Sequence, residues 1–240
     1  MKDAIKANFD ASVSAYDAYE RRTGRFAALA RLLYAEMAAR GDGTLDALLD
    51  AGAGSGVSTR VFGEAASRTV ALDISREMLR ENSGSPCIQG DFDHLPFADG
   101  TFDGVAFTAS LFLVPDPTVA VEEAERVLRT GGVVGAVAPL GWYTDDGTDV
   151  FETLDRDSRS PTRTDDVEAA LAETFAVSTG TWRFATTADD LRLFHEIPAM
   201  AARLYPRLSP DERVEKAVEL LDTVDGTLEQ RWRWIVGVSE

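Results

Sequence analysis

Between Ala47 and Ala138 short apolar runs alternate with amphipathic stretches long enough for helices, and that alternation permits few folds. Ala47–Ala51, Thr69–Asp73, Pro86–Gly90, Phe102–Thr108 and Val133–Ala138 read as strands, each bounded by Gly, Pro or Asp. Gly56–Ala66, Ser75–Asn82 and Pro117–Arg129 read as helices between them, the last with Val121, Ala124 and Leu128 facing inward. Strands separated by helices of this length predict a parallel, doubly wound sheet of the α/β class. A helix over Arg25–Arg40 precedes the sheet: Phe26, Leu29, Leu33 and Met37 share one stripe, and Gly41 with Gly43 stops it.

Beyond Pro139 the texture changes. Gly141 to Arg163 is polar and turn-rich, Thr164–Thr174 reads as a helix and Phe175–Phe184 as a sixth strand. Ala188 to Val224 reads as helix interrupted by Pro198, Pro206 and Pro210, before a seventh, alternating strand at Glu229–Val238 that contains Trp232, Trp234 and Val236. The helical stretch reads as a cap inserted before the last strand, since 240 residues with 45 % apolar side chains fit one large domain.

Charge and cysteine usage exclude several classes. With 41 acidic against 24 basic residues, the net charge of −17 repels phosphate backbones, so nucleic acid is not an expected partner. Lysine is confined to Lys2, Lys6 and Lys216, a surface that a high-salt cytoplasm would favour. Cys87, the single cysteine, can form no intramolecular disulfide and no cysteine-based zinc site, so no metal is expected and the compartment reads as reducing and cytoplasmic. The start, Met1 to Asp17, has no apolar run long enough for a signal peptide, and no stretch is apolar enough to span a membrane.

Leu48-Leu49-Asp50-Ala51-Gly52-Ala53-Gly54-Ser55-Gly56 is an apolar strand, an acid, and three alternate glycines opening a helix. Glycines there let backbone approach a ligand, while the helix start offers free N–H groups; a plain tight connection is the alternative. The dinucleotide fingerprint wants its last glycine at the sixth place, where Val57 stands, which argues against nicotinamide or flavin. Asp73 ends the second strand, where a carboxylate can accept both ribose hydroxyls of an adenosine or, alternatively, cap the helix Ser75–Asn82.

Gly90-Asp91-Phe92-Asp93-His94-Leu95-Pro96-Phe97-Ala98-Asp99-Gly100-Thr101-Phe102-Asp103 is the most specific stretch. With the glycine turn, Asp73 and Leu128-Arg129-Thr130-Gly131-Gly132 before the fifth strand, it resembles the class I S-adenosylmethionine-dependent methyltransferases. Within them it is most similar to the small-molecule group that includes the ubiquinone and menaquinone enzymes, over roughly Phe9 to Pro139.

That resemblance implies a Rossmann-like, mostly parallel seven-stranded sheet in a single domain, 1–240. Its parts would be N-terminal helices (1–43), a cofactor-binding core (44–139), a substrate-side loop, helix and strand (140–187), a helical cap insertion (188–226) and a final strand (227–240). The cofactor implied is S-adenosylmethionine, with S-adenosylhomocysteine as product. Asp50 would organise the turn and reach the methionine amino group, and Gly52, Ala53 and Gly54 would let backbone touch the methionine moiety. Asp73 would bind the ribose, with Ile74 and Met78 packing on the adenine. Asp91 would accept from the adenine amino group, and the Phe92 N–H would meet a ring nitrogen. Ser110 and Leu111 would lie beside the sulfonium, and Tyr16 would close the cofactor in.

The chain has Thr108-Ala109-Ser110-Leu111-Phe112 where amine-methylating relatives carry Asn/Asp-Pro-Pro-Tyr/Phe, so methylation of bases or glutamine side chains is not implied. Nor does it carry a specific quinone-pathway signature. His195 and Tyr143 are candidate proton acceptors, while His94 reads as a surface loop residue. Trp142, Tyr143, Phe194 and Tyr205 would wall a small, partly apolar acceptor under Gly141–Thr144 and Leu191–Tyr205, with core packing as the alternative, which Trp182 and Phe184 favour. Glu122, Glu123 and Glu125 read as a solvated helix face. A non-catalytic S-adenosylmethionine-binding module is the rival function.

Overall fold

The computed structural model describes residues 2–41, 43, 45–154 and 164–239, so the turn-rich segment expected up to Arg163 lies outside the described residues from 155 onward. In chain order the elements are α1 (Lys2–Asp10), α2 (Val13–Thr23), α3 (Arg25–Arg40), β1 (Ala47–Ala51), α4 (Val57–Gly63), β2 (Arg68–Asp73), α5 (Arg76–Glu81), β3 (Cys87–Gln89), β4 (Phe102–Thr108), α6 (Thr118–Val127), β5 (Leu128–Tyr143), α7 (Thr164–Thr174), β6 (Ala176–Thr187), α8 (Ala188–His195), α9 (Pro198–Ala201), α10 (Pro210–Leu221) and β7 (Thr227–Val238). The strands form one seven-stranded sheet in the order β3-β2-β1-β4-β5-β7-β6. β1 pairs in parallel with β2 and β4, β2 with β3, and β4 with β5. The strand order reverses between β1 and β4, and in open sheets of this kind ligands bind beyond the strand carboxyl ends at that point. The helical insertion α8–α10 falls between β6 and β7, as expected.

The chain folds as two compact units. One comprises Met1–Arg25, Pro139–Pro161 and Thr181–Trp232; the other comprises Phe26–Ala138, Thr162–Gly180 and Arg233–Glu240. In the second unit Leu48, Leu49, Leu72, Val105, Phe107 and Val134 are completely buried, the near-continuous apolar strands that a sheet covered on both faces requires. Phe26, Leu29, Leu33 and Met37 are buried along α3, as their spacing predicts. In the first unit the Phe194 ring meets Tyr19, Trp142 and Trp232 at centroid distances of 5.1, 5.8 and 6.5 Å. Reciprocal capping boxes start α8 (Thr187 with Asp190) and α10 (Ser209 with Glu212, Pro210 in the first turn).

β5 differs from the sequence reading at both ends, β6 runs on to Thr187 and α4 stops at Gly63. Leu128 is the first residue of β5, not the last inward residue of α6, and Arg129 to Gly132 form a bulge inside the strand. Gly131, at φ +74°, makes the bulge accessible, and Gly131 N and Gly132 O pair with Ser239 O and N. β5 also runs past Pro139 to Tyr143; its pairing with β4 ends at Thr108 and Val137, so proline's missing N–H costs no bond on that side. No helix among the described residues is long and apolar enough to cross a membrane.

Candidate functional site

β1 delivers Asp50 to the reversal point, and the glycine turn follows at once. Gly52 N and Ala53 N both donate to Leu72 O, at 2.8 and 3.0 Å, tying the turn to β2. Gly52 sits at φ +80°, and a Cβ there would collide with Ser110 and lie 3.1 Å from Phe92 Cζ. At Gly54, φ +53°, nothing stands within 4 Å of where a Cβ would be. Gly52 is thus required by the protein's own packing, and Gly54 presents the bare backbone.

Asp50 is wholly buried. Its Oδ2 accepts from Ser58 Oγ (2.7 Å) and Thr59 Oγ1 (2.6 Å), both on α4. Its Oδ1 is buried without a hydrogen-bond partner among the described residues. Burial pushes the carboxyl up to about 7; the two hydroxyls pull it down and the Asp73 charge adds to the rise.

Asp73 ends β2, and its carboxylate is fixed at both oxygens: Oδ2 accepts from Gly54 N (2.9 Å) and Oδ1 from Ser75 N (2.8 Å). The cap of α5 is Ser75, whose Oγ accepts from Met78 N at 3.1 Å, so the alternative reading of Asp73 as that cap does not hold. These two bonds set the orientation of the Asp73 carboxylate at the strand end. Ile74 is half-buried and Met78 buried.

The specific stretch after β3 is held by α6. Arg126 donates to Leu95 O (3.0 Å), Phe97 O (2.8 Å) and Asp99 Oδ1 (2.8 Å), and it pairs with Glu123 through Nε and Nη2. Glu123 Oε2 in turn accepts from Leu95 N at 2.7 Å, and the Arg126 guanidinium holds its carboxyl below the usual range. Glu122 and Glu125 are exposed as expected, but Glu123 is a loop anchor and not part of a solvated face. The sequence shows a charge run; it does not show which member turns toward a loop 28 residues away. Asp91 and Phe92 are half-buried; Asp91 Oδ1 accepts from Asp93 N (3.2 Å), and the Phe92 ring stands edge-on to Phe107 at 5.4 Å.

Ser110 Oγ donates to Ala51 O at 2.7 Å, linking the carboxyl ends of β4 and β1, and Leu111 is fully buried. Ala109, at φ +58°, is the one non-glycine residue with positive φ among those described, a strained position at the switch point. Sequence reasoning missed it, and also missed Ser58, Thr59 and Asn82; Ser and Thr spaced eight and nine residues after an acid that ends a strand were the available signal.

The second unit therefore brings together Asp50, Gly52, Ala53, Gly54, Asp73, Ile74, Met78, Asp91, Phe92 and Ser110. Tyr16, Tyr143 and His195 belong to the first unit. Tyr16 is half-buried on α2. Tyr143 donates to Leu140 O (3.4 Å) beneath the Arg231 guanidinium, and burial raises its hydroxyl above the ordinary value. His195 is buried, donates from Nδ1 to Leu191 O (2.9 Å), and touches the Phe151 and Phe194 rings. Burial pulls its imidazole down to about 4. Trp142 and Phe194 are buried core, and Tyr205 packs against Ala201, Leu204 and Ala217.

Residues 49–135, which contain the turn, Asp73, Asp91 and Ser110, match the family described as a methyltransferase domain. Over those residues the chain is similar to class I S-adenosylmethionine-dependent methyltransferases. Among curated proteins, the chain is similar to a demethylmenaquinone methyltransferase of Corynebacterium urealyticum, 42 % identical over 89 residues, 36 % of this chain and 39 % of the relative. A demethylmenaquinone methyltransferase of Thermobifida fusca is 34 % identical over 140 residues, 53 % of this chain and 58 % of the relative. The matched parts thus span less than two thirds of either relative's length. Among solved structures, the YcgJ protein of Bacillus subtilis shares the fold with a TM-score of 0.58 at 19 % identity, covering 87 % of this chain and 97 % of that one.

The residues fit the cofactor that this family implies. The unpartnered, buried Asp50 Oδ1 is an acceptor awaiting a cationic or hydroxyl donor, and the open face of Gly54 admits a ligand against backbone.

Proposed function

We propose that this chain is a methyltransferase that uses S-adenosylmethionine and acts on a small molecule. The observation that carries the reading is the pair of acids at the switch point: Asp50 with one buried oxygen lacking a partner, and Asp73 locked by two backbone N–H groups. Asp50 would take the amino group, Gly54 the neighbouring backbone contact and Asp73 the ribose. Ile74, Met78, Asp91 and Phe92 would take the adenine, and Ser110 would border the reacting end. S-adenosylmethionine, when bound, supplies a methyl group already activated for in-line displacement. The chain's share is then alignment and exclusion of water.

The acceptor class is supported by the names of the relatives, which act on demethylmenaquinone, and by the net charge of −17 that disfavours nucleic acid. Reduced quinone-type molecules are therefore the first to screen. We assign neither His195 nor Tyr143 to proton transfer: a buried imidazole at about 4 is a weak base at neutral pH, and the Tyr143 hydroxyl is committed to Leu140 O.

Calorimetry with S-adenosylhomocysteine tests the reading. Wild-type protein should bind it, and Asp73→Ala should weaken binding by about 1.5–3 kcal/mol, the range for hydrogen bonds to a charged group. Unchanged affinity in Asp73→Ala, or equal or tighter binding of NADH, would overturn the assignment. Mass-spectrometric detection of methylated reduced quinones then tests turnover.

A further inference from the structure

Asn82, the residue that ends α5, is nine-tenths buried and has no part in the contacts proposed above for the cofactor. Its Nδ2 donates to Thr59 Oγ1 at 3.0 Å. Thr59 Oγ1 donates to Asp50 Oδ2 at 2.6 Å, so three side chains from α5, α4 and β1 form one directed chain of hydrogen bonds. The Asn82 amide also fills the space where a Cβ on Gly56 would stand, so Gly56 is what lets the relay close over the turn.

A hydroxyl that accepts from an amide is fixed in rotation and becomes a stronger donor. Asn82 therefore commits the Thr59 proton to Asp50. With Ser58 Oγ on the same Oδ2, the carboxylate is saturated on its α4 side and its Oδ1 is the oxygen left over.

We infer that Asn82 is a positioning residue: acting through Thr59, it opposes protonation of Asp50 and keeps the carboxyl turned so that Oδ1 is offered to a ligand's cationic group. The inference deepens the cofactor reading and rests on it for the ligand. The groups facing Asp50 are Ser58 and Thr59 from α4 and, as the charged neighbour, Asp73 from β2. Removing the amide leaves the Asp73 repulsion in place and weakens one of the two hydroxyl bonds that oppose it, so the Asp50 carboxyl should hold its proton to higher pH.

The test is carbon-13 titration of the Asp50 carboxyl in ligand-free protein, alongside S-adenosylhomocysteine affinity against pH. In Asn82→Leu, which removes the donor while keeping the space filled, the Asp50 midpoint should rise by about one pH unit. The acid limb of the binding curve should rise with it, while affinity well above pH 8 stays at the wild-type value. Thr59→Val should raise the midpoint at least as far, and adding Asn82→Leu to it should change nothing further, because both act on one bond. Thr59→Ser should restore the wild-type curve. If Asn82→Leu does not fold, Asn82→Ala is titrated in its place. A midpoint unchanged or lowered, additive effects, or affinity reduced equally at every pH would overturn the inference. Wild-type protein that binds no S-adenosylhomocysteine would overturn the cofactor reading instead, and the ligand-free titration would still decide the role of Asn82.

Discussion

Asp50 shows what this site costs the fold. Its carboxyl lies at about 7 in the folded chain, against about 3.9 for an ordinary aspartate. Between those values the folded state holds a proton that the unfolded chain has released, so the contribution of Asp50 to stability is greatest below about pH 4, falls as pH rises, and levels off above about pH 7. Asp50→Asn keeps an oxygen for Ser58 and Thr59 and removes the charge. At pH 8 the variant should be more stable than wild type by up to about 4 kcal/mol, and at pH 4 the two should coincide. Urea denaturation at both pH values checks this, and a variant less stable at pH 8 would contradict it. The same substitution should weaken S-adenosylhomocysteine binding about tenfold or more, since it removes the charge that faces the ligand. A buried acid that destabilises its own fold yet stands at a ligand edge is retained for the ligand.

At the level of elements, α6 steadies the loop that carries Asp91 and Phe92. Arg126 is partly exposed, so its ion pair with Glu123 adds little; the bonds to Leu95 O and Phe97 O define the loop's path. Arg126→Gln should cost about 1 kcal/mol in urea denaturation. It should also speed amide exchange across 91–100 while β1 keeps its protection; uniform loosening of both would contradict the clamp. Such pairings explain how far the sequence could be read. The turn Gly52–Gly56, Asp73 and Asp91 were legible because each sits at a strand end in a short contiguous pattern, where backbone geometry dictates residue type. Glu123 and Asn82 were not, because their partners lie 28 and 23 residues away and nothing local marks which polar side chain turns inward. The aromatic residues expected to wall an acceptor were ambiguous in the sequence for a related reason. Helical spacing puts Phe194 and His195 near one another, but a core cluster with Tyr19, Trp142 and Trp232 satisfies the same pattern. β5 was read as too short because Pro139 signals an end, and the signal lapses once the neighbouring strand has stopped pairing.

For the molecule as a whole the governing quantity is the net charge of −17. Attraction and repulsion are both screened by salt, so the sign of the response depends on which is larger. Several attractive pairs are exposed at both ends, as with Arg80–Glu77, Lys216–Glu219 and Arg22–Asp189, and such pairs contribute about 0–1 kcal/mol each. Against them stands an excess of carboxylates with few lysines to offset it, including Glu122 and Glu125 side by side on the exposed face of α6. Repulsion therefore dominates, and shortening the Debye length from about 10 Å at 0.1 M to about 3 Å at 1 M should stabilise the fold. The expected outcome is a Tm that rises between dilute buffer and molar KCl, and rises equally in NaCl, since screening depends on ionic strength and not on the cation. Glu122→Lys with Glu125→Lys should reduce the slope by lowering the excess charge on one face. A Tm that stays flat or falls would mean that the exposed pairs outweigh the excess, and an unchanged slope in the double variant would mean that salt acts through something other than screening.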